Sequence, residues 1–217
     1  MDKYINQIIH ADCLDVMMQL PDNSIDLLLT DPPYGIGKSW MKQKNTYHYG
    51  AGIDMDWNDN RINKKYFDEI FRISKNQIIF GANYYTDFLP ITNSWIVWDK
   101  GRNVEKTFMS ECEVAWTSFQ IPMRKIFVQW DGAKKQGETG KKNIHPYQRP
   151  ILLYTWCLSK YSKENDLILD CFSGSGSVAV AAHRMNRRFI CIEKELKYVE
   201  LSQKRLEEER LQVVMNI

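Results

Sequence analysis

Residues 167–193 constrain this chain more than any other stretch. Leu167-Ile168-Leu169-Asp170 is a short apolar run of the buried-strand type, and Val178-Ala179-Val180-Ala181-Ala182 reads as the start of a packed helix. Between them lies Cys171-Phe172-Ser173-Gly174-Ser175-Gly176-Ser177. Glycines there let the backbone turn tightly and approach a ligand closely. The next run, Phe189-Ile190-Cys191-Ile192, ends at Glu193, an acid placed to accept hydrogen bonds from ribose hydroxyls. Strand, glycine turn, helix, strand and acid together make a nucleoside-cofactor half-site. Gly174-x-Gly176-x-x-Ala179 also satisfies the dinucleotide fingerprint, so a nicotinamide-dependent oxidoreductase stays open on these residues. A P-loop does not, because the turn lacks Gly-Lys-Ser/Thr. After Glu193 only the helical pattern Leu196–Glu209 remains. The other strands of this half-site are therefore expected from the N-terminal half of the chain.

That half supplies them. Apolar runs at Ile5–His10, Ile25–Thr30, Gln77–Phe80, Ser94–Trp98 and Glu113–Thr117 alternate with amphipathic stretches at Cys13–Gln19 and Lys64–Ile73. A further helix is expected at Ile151–Leu158, and Arg124–Trp130 reads as an extra strand outside the main sheet. The alternation predicts an α/β domain with a doubly wound, mostly parallel sheet. A length of 217 residues fits one domain, 1–217. Two polar, glycine-bearing stretches, Gly35–Asn60 and Gly132–Asn143, resist assignment. Loops of such length are commonly either functional or disordered.

Ile25–Thr30 leads directly into Asp31-Pro32-Pro33-Tyr34. Ligands of open α/β sheets bind at the C-terminal ends of strands. Two prolines stiffen the turn and remove two backbone donors, which leaves carbonyls to accept. Asp31 adds a further acceptor and Tyr34 an aromatic face. A planar ligand carrying an NH2 group satisfies all of them. The amine of adenine or cytosine is a poor nucleophile because its lone pair is delocalised into the ring. Two acceptors pulling on its hydrogens favour a tetrahedral nitrogen able to attack a sulfonium methyl group, provided they act more strongly in the transition state. Asp31 can also take the departing proton.

With these two motifs in place, the sequence resembles the DNA amino-methyltransferase family, N6-adenine and N4-cytosine, in its circularly permuted β-group. There the catalytic motif precedes the cofactor motif. The resemblance covers nearly the whole chain. Asp31-Pro32-Pro33-Tyr34 matches the catalytic motif, and Asp170-Cys171-Phe172-Ser173-Gly174-Ser175-Gly176 resembles the cofactor loop, with Cys171 in place of a usual proline. Ala11-Asp12-Cys13-Leu14 resembles the segment whose acid meets the cofactor adenine. Phe80-Gly81-Ala82-Asn83 and Trp95–Lys100 are similar to central strand-end motifs. His145-Pro146-Tyr147-Gln148-Arg149-Pro150 is similar to the segment beside the methionine part of the cofactor, with Tyr147 for a usual threonine and Arg149 for a usual lysine.

The resemblance implies an S-adenosylmethionine-dependent enzyme that flips a base out of double-stranded DNA. It implies catalytic roles for Asp31, Pro32, Pro33 and Tyr34. It implies cofactor contacts from Asp12, Cys13, Asp31, His145, Gln148, Asp170, Phe172, Gly174, Ser175, Gly176 and Glu193. Adenine N6 is expected over cytosine N4, since Asp-Pro-Pro-Tyr resembles the adenine versions. Residues 118–144 would be a short target-recognition insert, and 35–60 a mobile loop over the active site. A homodimer and a cognate restriction endonuclease are expected partners.

Charge adds one expectation. Ser118–Pro150 carries seven basic residues against Asp131 and Glu138. Lys134, Lys135, Lys141 and Lys142 lie among glycines in a stretch read as too polar to pack, and are the candidate DNA-phosphate contacts. The five cysteines are scattered without a Cys-x-x-Cys pair, and the four histidines lack ligand spacing, so neither a disulfide framework nor a metal site is expected. With no apolar leader and no apolar run long enough to span a bilayer, a cytoplasmic protein of a bacterium or phage-infected cell, without membrane contact, is expected. Trp57 reads either as a residue that packs onto the base pocket or as an ordinary hydrophobic anchor, His183 as a solvent-facing helix residue, and Glu207–Arg210 as a solvated helix face.

Overall fold

The computed structural model describes residues 1–36, 60–102, 110–131 and 134–215. Among these, an eight-stranded sheet forms from β1 (Gln7–His10), β2 (Leu27–Thr30), β3 (Gln77–Phe80), β4 (Trp95–Asp99), β5 (Cys112–Thr117), β6 (Arg124–Phe127), β9 (Leu167–Asp170) and β10 (Arg188–Glu193). Their spatial order is β1-β10-β9-β2-β3-β5-β4-β6. Parallel pairing runs from β1 through β10, β9 and β2 to β3, and again between β4 and β6. Only β5 runs against its neighbours. The half-site strands β9 and β10 thus sit between β1 and β2, as the sequence requires.

Helices cover both faces. On one side α1 (Cys13–Met17) packs with α2 (Lys64–Ile73). On the other lie α3 (Ile151–Tyr161), α4 (Ser177–Arg184) and α5 (Leu196–Met215). Successive strand residues point to opposite faces, so Leu27 and Leu29 join one core while Leu28 joins the other. Ile78 and Ile79, and Ile168 and Leu169, divide in the same way. A sheet buried on both faces needs apolar residues at every position, which is why these strands read as unbroken apolar runs. α2 starts where Asn63 caps it, accepting from the Lys65 amide at 3.0 Å.

Four expectations need correction. Arg124–Phe127 is no separate strand but the edge of the main sheet, pairing with β4 from Ile96–Arg124 to Asp99–Phe127. Its basic, exposed residues are those of a guarded edge. The described part of the Gly132–Asn143 stretch, residues 134–143, is not too polar to pack. Lys134–Lys135 (β8) pairs with Trp130–Asp131 (β7), and Glu138 is buried against Arg205 at 2.5 Å. Finally, Glu209 is not wholly solvated, since it pairs with Arg184 at 2.6 Å, and His183 is half-buried with its Nε2 enclosed. Most of 35–60, Trp57 included, lies outside the described residues.

Candidate active site

Four neighbouring parallel strands, β1, β10, β9 and β2, end on one side of the sheet, and their loops line one cleft of about 500 Å³. Ala11–Cys13 follow β1, Glu193–Glu195 close β10, Cys171–Ser175 follow β9 and Asp31–Tyr34 follow β2. The segment entering α3 adds His145, Tyr147 and Arg149, and α2 adds Tyr66.

At the β9–β10 end the glycine turn and the acid hold each other. Gly174 donates its amide to Glu193 Oε2 at 2.8 Å, and Glu195 donates to Oε1 at 2.9 Å. Each carboxylate oxygen keeps a lone pair for a further donor. Burial pushes the Glu193 carboxyl above its ordinary range, against those donors. Gly174 has φ +50°, and a Cβ there would come within 3.3 Å of His145 Nδ1. His145 packs edge-on to Tyr198 with ring centroids 4.3 Å apart. Burial, with Arg149 nearby, pushes its pKa down to about 3, so the ring is neutral. Asp12 caps α1 through the Leu14 amide at 3.0 Å and pairs with Lys194 at 3.1 Å. The rings of Tyr66 and Phe172 approach to 6.3 Å beside it.

At the β2 end, Asp31 is surrounded by donors. Tyr34 donates its hydroxyl to Asp31 Oδ1, and Arg149 Nη2 lies 2.7 Å from Oδ2. The same nitrogen donates to the Tyr34 hydroxyl at 2.7 Å and lies 2.8 Å from Glu113 Oε2, at ion-pair distance but off the hydrogen-bonding direction. Glu113 is paired in turn with Lys100. Burial raises the Asp31 carboxyl above its ordinary value, while Arg149 pulls it down. The Tyr34 ring stacks on Tyr84 at 4.7 Å and lies over Gly81, which leaves no room for a Cβ. The expected open stacking face of Tyr34 is thus taken on the Tyr84 side. Tyr85 donates its hydroxyl to the Pro33 carbonyl.

This arrangement has a counterpart among known proteins. The DNA methylase model for N6 and N4 enzymes matches residues 83–204, more than half of the chain. The chain belongs to this DNA methylase family. The type II methyltransferase M.HinfI of Haemophilus influenzae is 27% identical over 94% of the chain and 69% of its own length. The crystal structure of an M1.HpyAVI–SAM complex superposes with a TM-score of 0.58 at 22% identity, over 92% of this chain and 98% of that one. The cytosine-N4-specific PvuII DNA methyltransferase superposes at 0.63 and 16% identity, over 91% and 85%. These structural likenesses are likenesses of fold. The family match decides between methyl transfer and the nicotinamide reading that the glycine fingerprint left open.

In the methylase, most residues singled out from sequence meet in the one cleft: Asp12, Cys13, Asp31, Pro32, Pro33, Tyr34, His145, Phe172, Gly174, Ser175 and Glu193. Asp170, Gln148 and Gly176 do not face it. The Asp170 carboxylate points inward, accepting from Thr30 at 2.8 Å and the Phe172 amide at 3.1 Å. Gln148 is buried, bonding Glu138 at 3.1 Å and the Ile144 amide at 3.0 Å. Gly176, at φ +70°, lets Ser202 of α5 pack closely. All three support the wall from behind. The four lysines lie away from the cleft on β8 and the following turn. Lys134, Lys141 and Lys142 are exposed, whereas Lys135 donates to the Lys141 carbonyl at 2.8 Å. Sequence reasoning missed Glu113 and the cationic role of Arg149. The only signal was an acid at the start of β5 and a guanidinium two residues before α3.

Proposed function

We propose that this methylase transfers a methyl group from S-adenosylmethionine to the N6 amine of an adenine flipped out of duplex DNA. The observation that carries the reading is that Asp31 and Glu193, at the ends of β2 and β10, line the same cleft. Its volume falls within the roughly 300–1,000 Å³ of small-molecule sites. The residues fit the cofactor: Glu193 offers ribose acceptors, Phe172 and Asp12 flank the nucleoside end, and the bare Gly174 with neutral His145 leaves space for the methionine end. The bound cofactor supplies an electrophilic methyl carried on sulfur. Asp31 and the Pro32 carbonyl accept from the amine and draw its lone pair out of the ring. With that methyl group supplied, Asp31 would accept the proton that the amine gives up.

Residues 118–144 would form the target-recognition segment, and Lys134, Lys135, Lys141 and Lys142 the phosphate contacts, in a cytoplasmic enzyme. A homodimer would extend the DNA footprint of so small a protein, and a restriction endonuclease would be its natural counterpart. No helix among the described residues is long and apolar enough to cross a membrane. Cytosine N4 is the second reading, because the same acceptors serve either amine. Asp31→Ala tests the assignment: methyl transfer should be lost while S-adenosylmethionine still binds in titration calorimetry. Mass spectrometry of digested DNA should show N6-methyladenine. If the modified base were N4-methylcytosine alone, the base choice would fail and the chemistry would stand.

A further inference from the structure

The Asp31 carboxylate does not stand alone at the end of β2. Arg149, from the segment entering α3, reaches it at 2.7 Å, and Glu113 of β5 holds Arg149 from the far side at 2.8 Å. Lys100, just past β4, pairs with Glu113. All four side chains are largely enclosed. Two anions and two cations alternate across the ends of β2, β5 and β4, and the set is neutral. The Arg149 guanidinium also lies 5.8 Å over the Trp98 ring, and its buried Nε meets no acceptor among the described residues. A guanidinium so placed offers Nη2 to Asp31 Oδ2 and leaves Oδ1 as the oxygen that Tyr34 now bonds.

We propose that Arg149 is a positioning residue for methyl transfer, holding Asp31 ionised and turned so that Oδ1 receives the amine. The inference rests on Asp31 being the amine acceptor. An unpaired carboxyl in this enclosure would protonate, and a protonated Asp31 neither draws on the amine nor takes its proton. Every charged or titratable group facing Asp31 enters the balance. Arg149 and Lys100 favour its anion, as does the Tyr34 hydroxyl bond, while Glu113, Asp170, Tyr85 and Tyr154 are its other titratable neighbours among the described residues.

The test is the pH profile of kcat in the full-length methylase on duplex DNA, with S-adenosylmethionine affinity measured alongside. Asp31→Ala is run first, and retained activity there would overturn the acceptor assignment independently of Arg149. Arg149→Met should lower kcat at neutral pH roughly a hundredfold and move the acid limb up by about 1–3 pH units. Arg149→Lys should recover much of both. Glu113→Gln removes a like charge from beside Asp31 and should move the acid limb the opposite way, to lower pH. If Arg149→Met does not fold, the lysine and Glu113 variants still decide. Loss of rate with unshifted limbs, or both limbs moving the same way, would reduce Arg149 to a packing role and overturn the proposal.

Discussion

Gly174 gives its amide to Glu193 at 2.8 Å, so the glycine turn fixes the rotamer of the acid across the strand gap. The acid is therefore preorganised, and its loss should appear in binding rather than in folding. Glu193→Ala is expected to weaken S-adenosylmethionine by about 1–3 kcal/mol, the scale of a charged hydrogen-bond acceptor. Titration calorimetry measures it, with circular dichroism as the check on fold. Unchanged affinity would place the ribose elsewhere in the cleft.

Gly81 supports Tyr34 by having no side chain. With φ +64° and the Tyr34 ring directly over it, an alanine there is both strained and in collision. Gly81→Ala should tilt Tyr34 off Asp31 and lower kcat by roughly a hundredfold, the scale of an ångström-sized misplacement at a reacting centre. Cofactor affinity should stay within twofold, since Gly81 lies outside the lining of the cleft. A parallel fall in both would mean that the substitution unsettles the sheet.

Asp170 predicts a pH dependence of stability. Burial pushes its carboxyl up to about 7 from the ordinary 3.8, outweighing the Thr30 and Phe172 donors. Folding thus raises this pKa, so the folded state binds the proton more tightly. The associated stabilisation is full below about pH 4 and is lost as pH rises through 7. Asp170→Asn keeps both hydrogen bonds without the charge. The stability of wild type minus variant should fall by a few kcal/mol across that window, read by urea denaturation. A flat difference would mean an ordinary carboxyl.

The basic segment can be tested through salt. Replacing Lys134, Lys135, Lys141 and Lys142 by glutamine should weaken binding to any duplex and flatten its log–log salt dependence by about 0.9 per phosphate contact. Lys135 is tied to the Lys141 carbonyl and lies 5.7 Å over Trp130, so the other three should carry most of the change. S-adenosylmethionine affinity should not move. Equal slopes would leave these lysines as solubilising residues.

Local rules made much of this fold legible. Lys64–Ile73, Gln77–Phe80 and Leu167–Asp170 form as read, because an Asn63 cap, a helical period and unbroken apolar runs are local signals. The cleft was legible at Asp31 and Glu193 for the same reason, since each directly follows an apolar strand. Arg149 and Glu113 were not, because nothing local joins residues 31, 113 and 149. Only the strand order brings β2, β3 and β5 side by side. Residues 132–143 misled through composition. One buried carboxylate, Glu138, organises the segment by accepting from the Ile151 amide at 2.9 Å and pairing with Arg205.

The placement of β9 and β10 between β1 and β2 has a consequence for how a cell makes this protein. On the ribosome β1 and β2 emerge early, but the strands that separate them are synthesised on the order of ten seconds later, at about 5–20 residues per second. Until then β1 lacks its β10 partner and β2 has one bare edge, both open to wrong pairing. The cleft draws a wall from each of these four strands, so no nascent fragment that ends before β10 can contain it. Catalytic competence therefore waits on the late strands slotting in between β1 and β2.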